Sequence, residues 1–140
     1  MDRRGIAVLS VSPVREDHTA LEHMLALPWT LRPTFTLESA VAALEDDLVP
    51  VVLVECDVYP AAWKGMLQHV SRFAHPPRLI VTSRLADERL WAEALNLGAY
   101  DVLAKPFDGD EVRRVVESAW RDWNKRTAAP ERPKRAAASG

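Results

Sequence analysis

Cysteine is nearly absent. Cys56 is the one thiol among 140 residues, so no internal disulfide framework holds this chain. That suits a reducing compartment, and a cytoplasmic setting is expected. Long apolar runs are missing as well. None approaches the roughly 20 residues of a membrane span, so no membrane role is expected. The opening "MDRRGIAVLSVSP" is basic but has a short apolar stretch and no small-residue cleavage site, unlike a signal peptide. No excess of one charge sign exists: the net charge of −2 carries no electrostatic footprint for nucleic acid. The first apolar run is followed by "SVSPVRED", with two serines and no glycine. A phosphate cradle wants a glycine-rich turn, and the acidic helix start here repels phosphate. His18, His23, His69 and His75 form no i,i+4 pair, so no zinc site is expected and no cofactor is implied.

What remains is a chain with 48% hydrophobic and 27% charged residues, the balance of a globular domain. Short apolar runs alternate with helical patterns. Strands are expected at residues 5–11, 29–36, 50–55, 78–83 and 100–104. Helices are expected at 15–27, 37–48, 61–74, 87–98 and 108–123. Pro33 inside the second strand points to a sheet edge. Thr36 or Ser39 can cap the second helix. Gly98 closes the fourth at the place of a left-handed cap. Asp108 with Glu111 opens the fifth as a capping-box-like pair. Trp63 and Trp91 fall near apolar stripes and are expected in or beside the core, whereas Trp120 and Trp123 suit either sheet packing or an exposed partner patch. The tail from 125 to 140, rich in Ala, Pro and basic residues, reads as flexible, and no effector domain is expected in the chain.

Apolar strands without alternation imply a parallel sheet covered on both faces. Five βα units with short, right-handed connections give a doubly wound, flavodoxin-like α/β fold over residues 5–124, in strand order 2-1-3-4-5. Sites in such sheets lie beyond the carboxyl ends of the strands. There the sequence places Ser10 to Pro13, Glu55 to Asp57, Thr82 to Arg84 and Ala104 to Phe107. The run "VVLVECDVYP" stands out, because an apolar strand stops abruptly on Glu55. With period-2 geometry Val51, Leu53 and Glu55 share one face, and Val52 and Val54 the other.

The segment "GAYDVLAKPFDGDEV" resembles the fifth-strand signature of response regulator receiver domains, with Lys105 on the signature lysine and Pro106 on the proline that follows a cis bond. "LIVTS" resembles the fourth strand, with Thr82 on the hydroxyl that contacts a phosphoryl group. The resemblance implies two acidic residues at the end of the first strand, to hold Mg²⁺ for phosphoryl transfer. Those positions fall on Ser10 and Val11, neither a competent replacement. Nearby Glu16 and Asp17 are expected in the first helix, away from the site. No metal is expected.

The acceptor position has two registers: the strand end gives Glu55, and counting back from Pro60 gives Cys56. The former is favoured. Glu55 then looks like a fixed carboxylate facing Lys105, either a partial imitation of a phosphorylated aspartate or a plain edge charge. Asp57 is the remaining acceptor candidate. Val102 stands where the family often has a switch aromatic. Cys56 reads as a small half-buried filler rather than a nucleophile.

The resemblance thus implies a degenerate, non-enzymatic receiver-like signalling module. It would bind a protein partner (a histidine kinase, an output protein or a second copy) through the fourth helix, fifth strand and fifth helix, with Arg89, Trp91, Tyr100, Arg113 and Trp120 as candidates. Two alternatives stand beside it. One is a phosphorylatable receiver using Asp57 or a rearranged site. The other is a flavodoxin-like small-ligand binder or enzyme.

Overall fold

The computed structural model describes residues 5–58 and 60–128. Five strands, β1 (Ile6–Val11), β2 (Trp29–Thr34), β3 (Val51–Glu55), β4 (Arg78–Ser83) and β5 (Asp101–Ala104), alternate with five helices. These are α1 (Arg15–Met24), α2 (Leu37–Asp46), α3 (Ala62–Val70), α4 (Glu88–Leu97) and α5 (Gly109–Ala128). All strand pairs are parallel, and the order is β2-β1-β3-β4-β5. β2, with Pro33, is an edge strand as expected.

The two-fold alternation of strand side chains divides the core between the faces. Val52, Val54, Leu79, Val81 and Val102 meet Leu44 of α2, Trp63 and Met66 of α3 and Ala94 of α4. Val51, Leu53, Ile80 and Leu103 meet Leu21 of α1 and Val112, Val116 and Ala119 of α5. Every residue of β3 is buried, which is why that strand reads as continuously apolar.

Helix ends follow local chemistry. Thr36 caps α2, accepting from the Ser39 N–H at 3.1 Å, and the Ser39 hydroxyl answers with the cap backbone. Asp87 caps α4 by accepting from the Leu90 N–H. Asp108 accepts from the Asp110 and Glu111 N–H groups at the start of α5. Gly98 adopts φ 110° and ends α4 in the left-handed region, where a side chain would be strained.

Some boundaries differ from the sequence pattern. α1 stops at Met24 rather than 27, before the cis Leu27–Pro28 bond, and α3 stops at Val70 rather than 74. α5 continues to Ala128, four residues past the boundary placed at 124, so residues 125–128 are helical rather than a flexible tail. No proline interrupts the chain between Phe107 and Ala129, and buried Trp123 anchors the last described turns. The remainder of the expected tail lies outside the described residues. Trp120 and Trp123 take the packing option: Trp123 is buried, and Trp120 meets Trp29 edge-to-face at 6.0 Å. Trp91 lies in solvent, not in the core, because the buried face of α4 is narrow and contains Ala94 rather than the indole.

Truncating fully buried Ile80 to alanine should lower unfolding free energy by about 2–5 kcal/mol. Leu97→Ala on the exposed side of α4 should change it by less than about 0.5 kcal/mol. Urea midpoints of the two variants check the assignment of core and surface.

Candidate functional site

The strand ends at the carboxyl edge assemble a group of charges. Glu55 ends β3 and pairs with Thr82 in the ladder. Its side chain is 1% exposed. Oε2 accepts from the Asp57 N–H at 2.9 Å and Oε1 from the Val58 N–H at 3.3 Å. Glutamate is long enough to fold back in this way, so its carboxylate caps the loop that it opens.

Lys105 follows β5, and its peptide bond to Pro106 is cis. Its backbone N–H donates to the Ser83 carbonyl, which carries β5 pairing one residue past the strand. The ammonium then lies among three carboxylates: 2.9 Å from Asp17 Oδ2, 3.4 Å from Glu55 Oε2 and 3.7 Å from Asp57 Oδ2. Burial pushes the lysine pKa down. The hydrogen bond and charge of Asp17, then the charge of Glu55, outweigh burial and hold it above the ordinary value. Glu55 and Lys105 thus share one edge, as expected.

Asp17 is the member that the sequence pattern left out. It does lie in α1, but in the first turn, where it is buried and accepts from the Ser12 hydroxyl at 2.8 Å. The signal was present. Asp17, Leu21 and Leu25 are spaced four apart and all buried, so the apolar stripe of α1 continues one turn back into the site. Beside it, His18 is buried against Phe35 at 4.6 Å between ring centroids. His18 Nε2 faces the Ser12 carbonyl and must donate, and in the neutral ring Nδ1 accepts from the Ser10 hydroxyl. Ser10 is therefore committed to His18, and neighbouring Val11 is buried in the core.

Asp57, one residue beyond Cys56, turns toward β4. Its Oδ1 accepts from the Ser83 hydroxyl at 2.6 Å and its Oδ2 from the Arg84 N–H at 2.9 Å. Burial pushes its carboxyl pKa up, but the Ser83 hydroxyl, the Arg84 N–H and Lys105 together hold it below the usual range. The hydroxyl on Asp57 is thus that of Ser83, the neighbour of Thr82, which pairs with Glu55 in the ladder. Side chains alternate along β4, so Thr82 points to the same face as Ile80 and Ser83 to the other. Cys56 is buried on the Ser83 side. Burial raises its thiol pKa, the Ser83 hydrogen bond opposes this, and Asp57 and Glu55 raise it further. It is a poor nucleophile there.

Next to Glu55 a cleft of about 450 Å³ opens among the turns after β1, β2 and β3. Val11, Pro13, Phe35 and Leu37 line it, so a phosphate-bearing ligand would meet apolar groups and a carboxylate. Among the described residues no group of three or more His, Cys, Asp and Glu is placed to hold a metal ion. Among the same residues no helix is long and apolar enough to cross a membrane.

No protein-family model and no curated protein sequence matches the chain. Solved structures do. The signal receiver domain of an HD domain-containing protein from Pseudomonas fluorescens superposes with a TM-score of 0.79 at 22% identity, over 91% of this chain and 96% of that one. A response regulator from Thermotoga maritima gives 0.76 at 19% identity, over 84% and 98%. A response regulator receiver protein from Burkholderia phymatum gives 0.73 at 15% identity, over 83% and 95%. The chain has the receiver-domain fold of response regulators. In this receiver fold the signature-like Lys105 stands at the carboxyl edge, beside β4 and across from the end of β3.

The lowered Asp57 pKa fixes the sign of a pH effect. A depressed carboxyl contributes its full stability above its ordinary range and loses it as pH falls through the folded value. Asp57→Asn should therefore cost about 1.5–3 kcal/mol near neutral pH, the scale of hydrogen bonds to a charged acceptor. That difference should shrink as pH falls through the ordinary carboxylate range and vanish below the lower folded value, where the native carboxyl protonates. Denaturant midpoints of both proteins across the acid range check it.

Proposed function

We propose that this chain is an atypical receiver-like signalling module, not an enzyme, that acts through protein–protein contacts without Mg²⁺-dependent phosphorylation. The observation that carries this reading is the position of the Lys105 ammonium, 2.9 Å from Asp17 and 3.4 Å from Glu55. Mg²⁺ demands several oxygen ligands and would have to displace that ammonium. The residues present do not fit the ion. Val11 has no side-chain oxygen, Ser10 is held by His18, and Asp17 is shared between Ser12 and Lys105.

A cytoplasmic histidine kinase, an output protein or a second copy of the chain would supply the partner surface. The outward side of α4 suits this role, with Arg89, Trp91 and Leu97 exposed on it and Leu85 exposed in the loop before it. Two candidates move away from that face. Arg113 donates to the Met24 carbonyl of α1, and Trp120 packs on Trp29, so both lie along the seam of α1, β2 and α5. Tyr100 is half-buried, with its hydroxyl on Ser118 of α5.

A second reading, phosphorylation of Asp57, is favoured by one fact: its side chain is 26% exposed and lies beside Ser83 and Lys105. Mass spectrometry after incubation with acetyl phosphate and Mg²⁺ separates the two. The unmodified mass is expected. A phosphoryl adduct on Asp57 would overturn the first reading in favour of the second.

A further inference from the structure

The cleft of about 450 Å³ among the turns after β1, β2 and β3 has the size of a small-molecule site, roughly 300–1,000 Å³. Val11 and Pro13 line it from β1, Phe35 and Leu37 from the turn into α2, and Ala61 from the turn into α3. Phe35 and Leu37 are 40% and 38% exposed, so the chain leaves this apolar lining uncovered. The walls are nevertheless fixed. The Arg15 guanidinium stands 5.4 Å from the Phe35 ring centroid, and His18 meets the same ring edge-on at 4.6 Å. Leu37 follows directly on the Thr36–Ser39 capping box. A preformed apolar wall spares a ligand the cost of ordering it.

The polar side chains of the lining decide the class of ligand. The Ser12 hydroxyl donates to Asp17 and accepts from the Val14 N–H. The Thr36 hydroxyl is engaged with Ser39. Among the described residues Glu55 is the charged member of the lining. Its Oε2 accepts from the Asp57 N–H and faces Lys105, whereas Oε1 has one donor among those residues, the Val58 N–H at 3.3 Å. A carboxylate oxygen accepts two hydrogen bonds, so one acceptor position is left. The first-turn N–H groups of α2 and α3 favour an anion. Asp17, Glu55 and Asp57 around the single Lys105 outweigh them and repel one. We propose that this cleft is a binding site for a planar, apolar small molecule that carries no negative charge and one hydrogen-bond donor, its ring between Phe35, Leu37 and Pro13 and its donor on Glu55.

The test uses indole, a neutral ring with one N–H, and amide NMR of the full chain. Indole should move the Ser12, Leu37, Ala61 and Ala62 amides with saturation in the millimolar range. 1-Methylindole, which lacks the donor, should bind roughly ten-fold more weakly or worse, the scale of a lost hydrogen bond to a charged acceptor. Indole-3-acetate, the anionic relative, should bind at least as poorly. Phe35→Ala should weaken indole several-fold, and Ala61→Trp should fill the cleft and abolish binding. Both positions are exposed, so the fold survives these changes. The proposal is overturned if indole does not saturate, or if the shifts map away from the cleft. It is also overturned if indole-3-acetate or 1-methylindole binds as well as indole, or if both variants bind like the native protein. Cleft amides that move with protein concentration alone would identify a second copy as the occupant, and would overturn it too. This inference stands on the cleft and not on the partner reading. An acetyl phosphate adduct would sink the partner reading, whereas indole binding reads the cleft alone.

Discussion

The carboxyl edge of this protein depends on one buried ammonium. Lys105 Nζ reaches Asp17 of α1, Glu55 at the end of β3 and Asp57 in the following loop, from a side chain 7% exposed. Three carboxylates around one lysine leave an excess of negative charge. Backbone and hydroxyl donors offset it: Ser12 on Asp17, the Asp57 and Val58 amides on Glu55, Ser83 and Arg84 on Asp57. Each carboxylate therefore has its own donors, and Lys105 is what they share. A buried ion pair of this kind adds little over a well-packed apolar substitute. Removing one member is costly, because the others stay buried with their charge. The cluster is better understood as a device that fixes geometry than as a source of stability.

What it fixes are four separate pieces of chain. Asp17 ties α1 to the end of β5, and Glu55 shapes the turn out of β3. Asp57 links that turn to the loop between β4 and α4, and Ser83 orders the loop itself. This loop contains exposed Leu85 and leads into α4, where Trp91 is exposed. Hydrogen bonds thus connect the carboxyl edge to the start of α4 over a short path.

The fold was legible because its signals are redundant. Continuous apolar strands demanded helices on both faces, Pro33 marked an edge, and Thr36 and Gly98 marked helix ends by chemistry that few other residues provide. Glu55 and Lys105 were legible because strand ends are where a charge interrupts an apolar run. Asp17 was not, since a carboxylate in a first helical turn looks like a surface residue answering the helix dipole. Its burial emerges once α1 packs so that Leu21 and Leu25 face the sheet and the same stripe continues to residue 17. Ser83 was missed for a different reason. Thr82 and Ser83 point to opposite sheet faces, and which of them meets Asp57 depends on the turn that the loop after β3 takes toward β4, which strand periodicity does not give. The end of α5 was obscured by composition: Lys125, Arg126 and Thr127 look like tail residues, but nothing in them stops a helix.

The claim that Lys105 is the shared hub is tested most directly by a double-mutant cycle on Asp17 and Lys105, using Asp17→Asn and Lys105→Met and reading unfolding free energy near neutral pH. The hub predicts strong coupling, on the order of 1–3 kcal/mol, because each single change strands a buried partner that the double change removes. Additivity within about 0.5 kcal/mol would mean that the two groups do not depend on each other, and would contradict the account.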